Sequence, residues 1–188
     1  MKKLLLILSI TLAIFLGNDV FAQQAIRVAQ FNTEKGVAIQ GYDPVAYFTQ
    51  GKAVKGTKGL AINAEGITYY FASQEDKDLF KKDYKKYEPQ YGGWCAYAMG
   101  ATDSKVDIDP ESFKISNGKL YLFYHSWVNN TLGKWNADER NLQPKADAAW
   151  AKFIKRPNDK SPIPMKKIIY TPSEKYTTPV ELYKSKIN

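Results

Sequence analysis

The sequence predicts an α+β domain in which helices pack on a small antiparallel sheet. Two short turns predict the antiparallel pairing, because Ala64-Glu65-Gly66 and Asn117-Gly118 each separate two strand-like apolar runs. The helix signals lie between these two hairpins and after them. With 188 residues, 44% of them hydrophobic, the chain is long and apolar enough for one domain with its own core.

In chain order, the first predicted element is a short strand at residues 37–39. Asp43 is predicted to cap a short helix that has Pro44 as its first residue and ends at Phe48. The hairpin around Ala64-Glu65-Gly66 comes next, after a loop with several glycines.

Further helices are predicted after the first hairpin. Ser73 caps a helix whose apolar stripe continues to Tyr87. After the hairpin around Asn117-Gly118, helices are predicted at residues 127–135 and from Asp138 to Phe153, the second interrupted or opened at Pro144.

Both ends of the chain are predicted to lie outside the domain. Residues 1–22 have the pattern of a secretory signal peptide, with Lys2 and Lys3 before an apolar run and Ala22 at the cleavage position. The rest divides into a flexible N-terminus (23–35), the domain itself (36–155) and a basic, proline-containing tail (156–188).

Charge and cysteine content restrict the cellular compartment and the classes of partner that the sequence predicts. An exported chain is periplasmic or extracellular, and its single cysteine cannot form an internal disulfide. The formal net charge of +8 favours acidic partners, and the basic tail is expected to contact anionic surfaces. Export argues against a nucleic-acid partner, and no transmembrane segment is predicted in the mature chain.

Several motifs together resemble the secreted YHS-domain (seleno)protein-like family, in a form with cysteine at position 95. The resemblance covers roughly residues 36–154. The motifs are GYDPVAYF (41–48), GITYYFAS (66–73), KYEPQYGGWCA (86–96), KLYL (119–122), Trp135 and ADAAW (146–150).

The resemblance implies a small YHS-like domain that acts as a non-catalytic binding module for a metal ion such as copper or for a small ligand. Relatives described as selenoproteins add redox chemistry as an alternative. The metal-type motif has two cysteines where this chain has Ala72 and Asp76. Because alanine ligates nothing and a lone carboxylate prefers harder ions, the shared metal site is not carried over.

Cys95 is the main candidate for chemistry. Near a helix start, backbone N–H groups would favour a thiolate, which makes Cys95 a candidate redox thiol. Met99, four residues later, and His125, the only histidine, could join it as ligands of Cu(I). The alternative is that Cys95 is a small buried side chain in a structural or interaction protein.

An aromatic ligand pocket is the other predicted site. Its candidate residues are Tyr91, Trp94 and Tyr42, and Gly92-Gly93 would let a ligand or another backbone segment approach closely. Three functions therefore stay open on the sequence: a binding module, a thiol-dependent redox protein using Cys95, and a structural or interaction protein.

Overall fold

The computed structural model describes residues 23–155, so the predicted signal peptide and the predicted basic tail lie outside the described residues. Helices and small sheets are both present in this range, which confirms the predicted α+β class. The α-helices are α1 (23–30), α2 (Ala46–Thr49), α3 (Gln74–Lys82), α4 (Tyr84–Tyr87), α5 (Ala96–Thr102) and α6 (Thr131–Phe153). The strands are β1 (Thr33–Glu34), β2 (Val37–Ala38), β3 (Thr57–Ala64), β4 (Ile67–Phe71), β5 (Asp109–Ser116), β6 (Lys119–Phe123), β7 (His125–Ser126) and β8 (Asn129–Asn130).

The largest sheet has the strand order β1-β2-β4-β3. Strands β3 and β4 form the first predicted hairpin, and its turn residues Glu65 and Gly66 both have positive φ (48° and 89°), as a tight hairpin turn requires. Strand β2 pairs in parallel with β4, Val37 opposite Thr68, so the sheet is mixed rather than wholly antiparallel.

Strand β4 packs against α3 in the first of two apolar clusters. Ile67, Tyr69 and Phe71 are buried, as the two-residue period of a strand predicts. The ring of Phe80 lies 4.8 Å from that of Tyr69 and 5.0 Å from that of Phe71, measured between centroids. The motif GITYYFAS (66–73) thus contributes three buried side chains to the core.

The helix after β4 begins as predicted and ends earlier. Ser73 is its N-cap, and the hydroxyl accepts a hydrogen bond of 3.0 Å from the amide of Asp76. The predicted continuation to Tyr87 in one helix is wrong, because Asp83 leaves the helical region (φ −154°, ψ 77°). Its carboxylate caps α4 instead, accepting from the amide of Lys86.

The second apolar cluster lies between β6, α5 and α6. Trp135 is fully buried there, with its ring centroid 5.6 Å from that of Tyr121 and 5.7 Å from that of Phe123. Gly100 allows α5 and α6 to approach closely, because a Cβ at this position would lie 2.6 Å from the carbonyl oxygen of Leu142. Strand β6, which supplies Tyr121 and Phe123 to this cluster, pairs with β5 to form the second predicted hairpin.

Helix α6 starts later than the sequence predicts. The predicted start at Trp127 is wrong, since Asn130 is the N-cap and its side-chain oxygen accepts a hydrogen bond from the amide of Gly133. The predicted boundary at Asp138 corresponds to a kink, where φ is −144°. Pro144 lies inside the helix after this kink.

The N-terminal region, predicted to be flexible, contains regular secondary structure in residues 23–35. Residues 23–30 form α1, and β1 follows directly. Arg27 holds α1 against the domain through Glu88, at 2.5 Å, a contact between residues 61 positions apart that local sequence patterns cannot reveal. None of the helices within residues 23–155 is both long and apolar enough to cross a lipid bilayer.

Candidate functional site

Cys95 lies at the N-terminus of α5 and is fully buried. The helix begins only at Ala96 because the two preceding residues are not helical, with ψ of 160° at Trp94 and 116° at Cys95. The amide of Cys95 donates to the carbonyl of Val106 at 2.9 Å, and its own carbonyl accepts from Met99 at 3.0 Å. The predicted position near a helix start is therefore observed, but without access to solvent.

A closed ring of three hydrogen bonds surrounds the thiol. The amide of Tyr124 donates to Cys95 Sγ at 3.3 Å, and Thr131 Oγ1 donates to the carbonyl of Tyr124 at 2.5 Å. Cys95 Sγ and Thr131 Oγ1 are 3.4 Å apart. Because the threonine hydroxyl has a single proton and gives it to Tyr124, the thiol must be the donor in this third contact.

This geometry favours a structural role for the thiol. The sulfur is enclosed in this ring and fully buried, whereas redox attack and metal ligation need an accessible thiolate. The ring connects the start of α5, the end of β6 and the start of α6.

The predicted copper ligands have different environments in the structure. Cys95 belongs to the first apolar cluster, and Met99 is fully buried in the second. His125 is half exposed on β7, with Nδ1 3.5 Å from Asp109 Oδ2. Within residues 23–155, no group of three or more His, Cys, Asp or Glu side chains is arranged to hold a metal ion.

Two of the three predicted pocket residues already bind other parts of the chain. Tyr91 is buried and its hydroxyl donates to Asp147 at 3.0 Å. Burial, followed by the charge of Asp147, raises the pKa of this hydroxyl well above its usual value. Trp94 Nε1 donates to the carbonyl of Gln30 at 2.7 Å.

The third pocket residue lies apart from these two. Tyr42 packs beside the first apolar cluster, whereas Tyr91 belongs to the second and Trp94 packs against it. The ammonium of Lys55 lies 4.4 Å from the centroid of the Tyr42 ring. The aromatic residues predicted to form a pocket thus do not line a common one in the structure.

The close approach expected at Gly92-Gly93 is made by the chain itself. A Cβ on Gly92 would lie 2.6 Å from the ring of Trp150 and 3.1 Å from that of Phe31. The amide of Asn32 donates to the carbonyl of Gly92 at 2.8 Å, and its side-chain nitrogen donates to that of Gly93 at 3.1 Å. Of the two alternatives for these glycines, the structure therefore shows another segment of the chain rather than a ligand.

A buried carboxylate connects α2 to α3. Asp43 is fully buried and accepts hydrogen bonds from the amides of Val45 and Ala72 at 2.8 Å, and of Ala46 at 3.3 Å. Burial is the main cause that raises the pKa of Asp43 to about 6, aided by the charge of Asp76 and opposed by the backbone hydrogen bonds. The positions that carry cysteine in the metal-type motif are 72 and 76. Here the amide of Ala72 donates to Asp43, and the amide of Asp76 donates to Ser73, the N-cap of α3.

Sequence reasoning missed an exposed hairpin. Strands β7 and β8 pair His125 with Asn130 and Ser126 with Asn129, so Trp127 and Val128 form the turn. Trp127 is 105% exposed, more than in an extended reference peptide, and Val128 is 76% exposed. The signal that could have placed this turn outside the helix is the capping residue Asn130.

The hairpin is anchored directly to the ring around Cys95. Tyr124 and Thr131 flank the hairpin, and the amide of Thr131 donates to the carbonyl of Tyr124 at 3.2 Å. The same carbonyl accepts the hydroxyl bond of the ring. Cys95 therefore supports the base of the element that exposes Trp127.

Comparison of the chain with known protein families, with curated proteins and with solved structures found no match.

Proposed function

We propose that this protein is an exported, non-catalytic interaction module related to YHS-domain proteins, and that it binds a partner protein through the hairpin tip formed by Trp127 and Val128. The observation that carries the proposal is the complete exposure of the Trp127 side chain on a hairpin whose base is hydrogen-bonded to the core. Relation to the family is supported by the motifs quoted above, and export by the signal-peptide pattern of residues 1–22.

The energy available at the tip is large for two residues. A tryptophan buries on the order of 200 Å² in an interface, which corresponds to about 5 kcal/mol at 25 cal/mol per Å². Tryptophan is also among the residues enriched at interface hot spots. Because the hairpin is already held in place, little conformational entropy would be lost on binding.

The contacts of the other candidates support a non-catalytic function. The thiol of Cys95 is enclosed in the hydrogen-bonded ring, and His125 lies beside a carboxylate on the surface. Metal binding does not belong to the proposed function, because alanine at position 72 ligates nothing and the Asp43 carboxylate already accepts three backbone amides.

Photocrosslinking in cells that export the full chain tests the proposal. A benzophenone amino acid replaces Trp127 in one variant and Lys119, an exposed residue beside the other hairpin turn, in the control. We expect one discrete protein adduct from position 127, none from position 119, and loss of the first when Val128→Asp is added. No adduct, or the same adducts from both positions, would refute the interaction surface.

A further inference from the structure

The described N-terminal segment, residues 23–32, lies in a groove of the domain. We call this the segment groove; it is formed by Glu65, Tyr69, Glu88, Gly92, Gly93, Trp94 and Trp150. The segment fills this groove with three kinds of anchor: a guanidinium, an aromatic ring and an amide.

The guanidinium anchor is a largely buried ion pair. Arg27 donates from both terminal nitrogens to the carboxylate of Glu88, at 2.5 and 3.3 Å, and its Nε lies 3.2 Å from Glu65. Tyr69 also donates to Glu88, at 2.7 Å. The side chain of Glu88 is only 11% exposed, so without Arg27 its charge would be buried without a cation.

The other two anchors lie at the end of the segment. Phe31 contacts Trp150 edge to face, with ring centroids 5.8 Å apart and an interplanar angle of 64°. Asn32 binds the carbonyls of Gly92 and Gly93 through its amide and side chain. The groove thus recognises an arginine, a phenylalanine four residues later and an asparagine after it.

The segment has the properties of a bound peptide. A helix of about eight residues is not stable alone in water, so contacts with the groove must hold α1 in place. Gln24, Ala25, Val28 and Ala29 are exposed, and of these Gln24 and Val28 lie beside Gly66. Cleavage of the predicted signal peptide after Ala22 would make the segment a chain end. A chain end can leave the groove without pulling a further length of chain through it.

We propose that the segment groove is a binding site for a partner peptide with the pattern Arg-x-x-x-Phe-Asn, and that the chain's own N-terminal segment is its resident competitor. Opening of the segment exposes the carboxylate of Glu88, and an arginine from the partner restores the buried ion pair. Because the resident segment is covalently attached, its effective concentration is on the order of millimolar, which makes it a strong competitor. This site is separate from the Trp127 tip, so each proposal can fail without the other.

Peptide binding to the full chain tests the proposal. The probe is a fluorescein-labelled peptide with the sequence of residues 23–32, QQAIRVAQFN, and affinity is measured by fluorescence anisotropy. We expect the Arg27→Ala chain to bind it at least tenfold more tightly than the unmodified chain. The same peptide carrying Arg27→Ala should bind that variant at least tenfold more weakly, and Glu88→Gln added to the chain should abolish this preference.

Two outcomes overturn the proposal. One is that the Arg27→Ala chain, folded by circular dichroism, binds both peptides equally or neither. If that variant does not fold, hydrogen exchange of the unmodified chain decides. The amide of Asn32, bonded to Gly92, should then exchange at least tenfold faster than the buried amide of Met99. Equal protection would mean that the segment opens only when the whole domain unfolds.

Discussion

Replacing Cys95 with alanine is expected to lower the free energy of unfolding by about 2–4 kcal/mol. The amide of Tyr124 loses its acceptor in a partly buried place, which costs about 1–3 kcal/mol. Removal of a buried atom the size of a methylene costs about 1 kcal/mol more. Thr131→Val should cost about 1–2 kcal/mol, because the Tyr124 carbonyl still accepts the amide of residue 131.

The two variants should not be additive, because either one breaks the ring of hydrogen bonds. We expect the double variant to be about 1 kcal/mol more stable than the sum of the single effects predicts. Urea unfolding followed by circular dichroism measures each value. Thr102→Val is the matched control, since its hydroxyl only bonds the carbonyl of Ala98 within α5 and its loss should cost less than about 0.5 kcal/mol.

Thiol labelling completes this experiment. Ellman's reagent should react with Cys95 in urea and not in the folded protein, because the sulfur is fully buried. The structural interpretation is refuted if Cys95→Ala costs less than about 0.5 kcal/mol or if the native thiol reacts as fast as the unfolded one.

Three further outcomes are expected from copper titration, pH and the exposed tryptophan. Anaerobic titration with Cu(I) should give the same binding for the unmodified chain and for Cys95→Ala, and a stoichiometric site lost in the variant would contradict the buried-thiol interpretation. Because the folded-state pKa of Asp43 is raised from 3.8 to about 6, folding favours the protonated carboxyl, so this group should lower stability by up to about 3 kcal/mol as pH rises from 4 to 6. Across this pH window, the free energy of unfolding measured in urea should fall less steeply in Asp76→Asn, which removes the neighbouring charge, and as steeply as in the unmodified chain in Asp78→Asn. Equal pH dependence in both variants would argue against an effect of Asp76 on the pKa of Asp43. Trp127→Ser should change stability by less than about 0.5 kcal/mol while removing the tryptophan fluorescence that acrylamide quenches most readily, and a larger loss would show that Trp127 packs on the domain.

Local chemistry made several elements predictable from the sequence. The turn at Glu65-Gly66 needs two residues that tolerate positive φ, and the observed angles of 48° and 89° satisfy it. Ser73 could be recognised as a cap because its partner amide is only three residues away. Such signals depend on neighbours in the chain, so no knowledge of the tertiary structure is needed to interpret them.

The environment of Cys95 could not be predicted in this way. Its partners, Tyr124 and Thr131, lie 29 and 36 residues away, and no local pattern brings them to the sulfur. The sequence therefore left open whether the thiol was reactive, a ligand or buried. The meeting of α5, β6 and α6 is what brings these partners to the sulfur.

The sequence by itself determined the α+β class, the two main hairpins, the helix cap at Ser73 and the room for close approach at Gly92-Gly93. Those features follow from backbone dihedrals and hydrophobic periods, which operate over a few residues. The tertiary structure decided that Phe31 and Trp150 fill the space at Gly92 and that Trp127 stays in solvent. The sequence alone could not decide this, because burial depends on contacts between distant segments. Bringing such segments together costs chain entropy, and only the burial of a complete core offsets that cost.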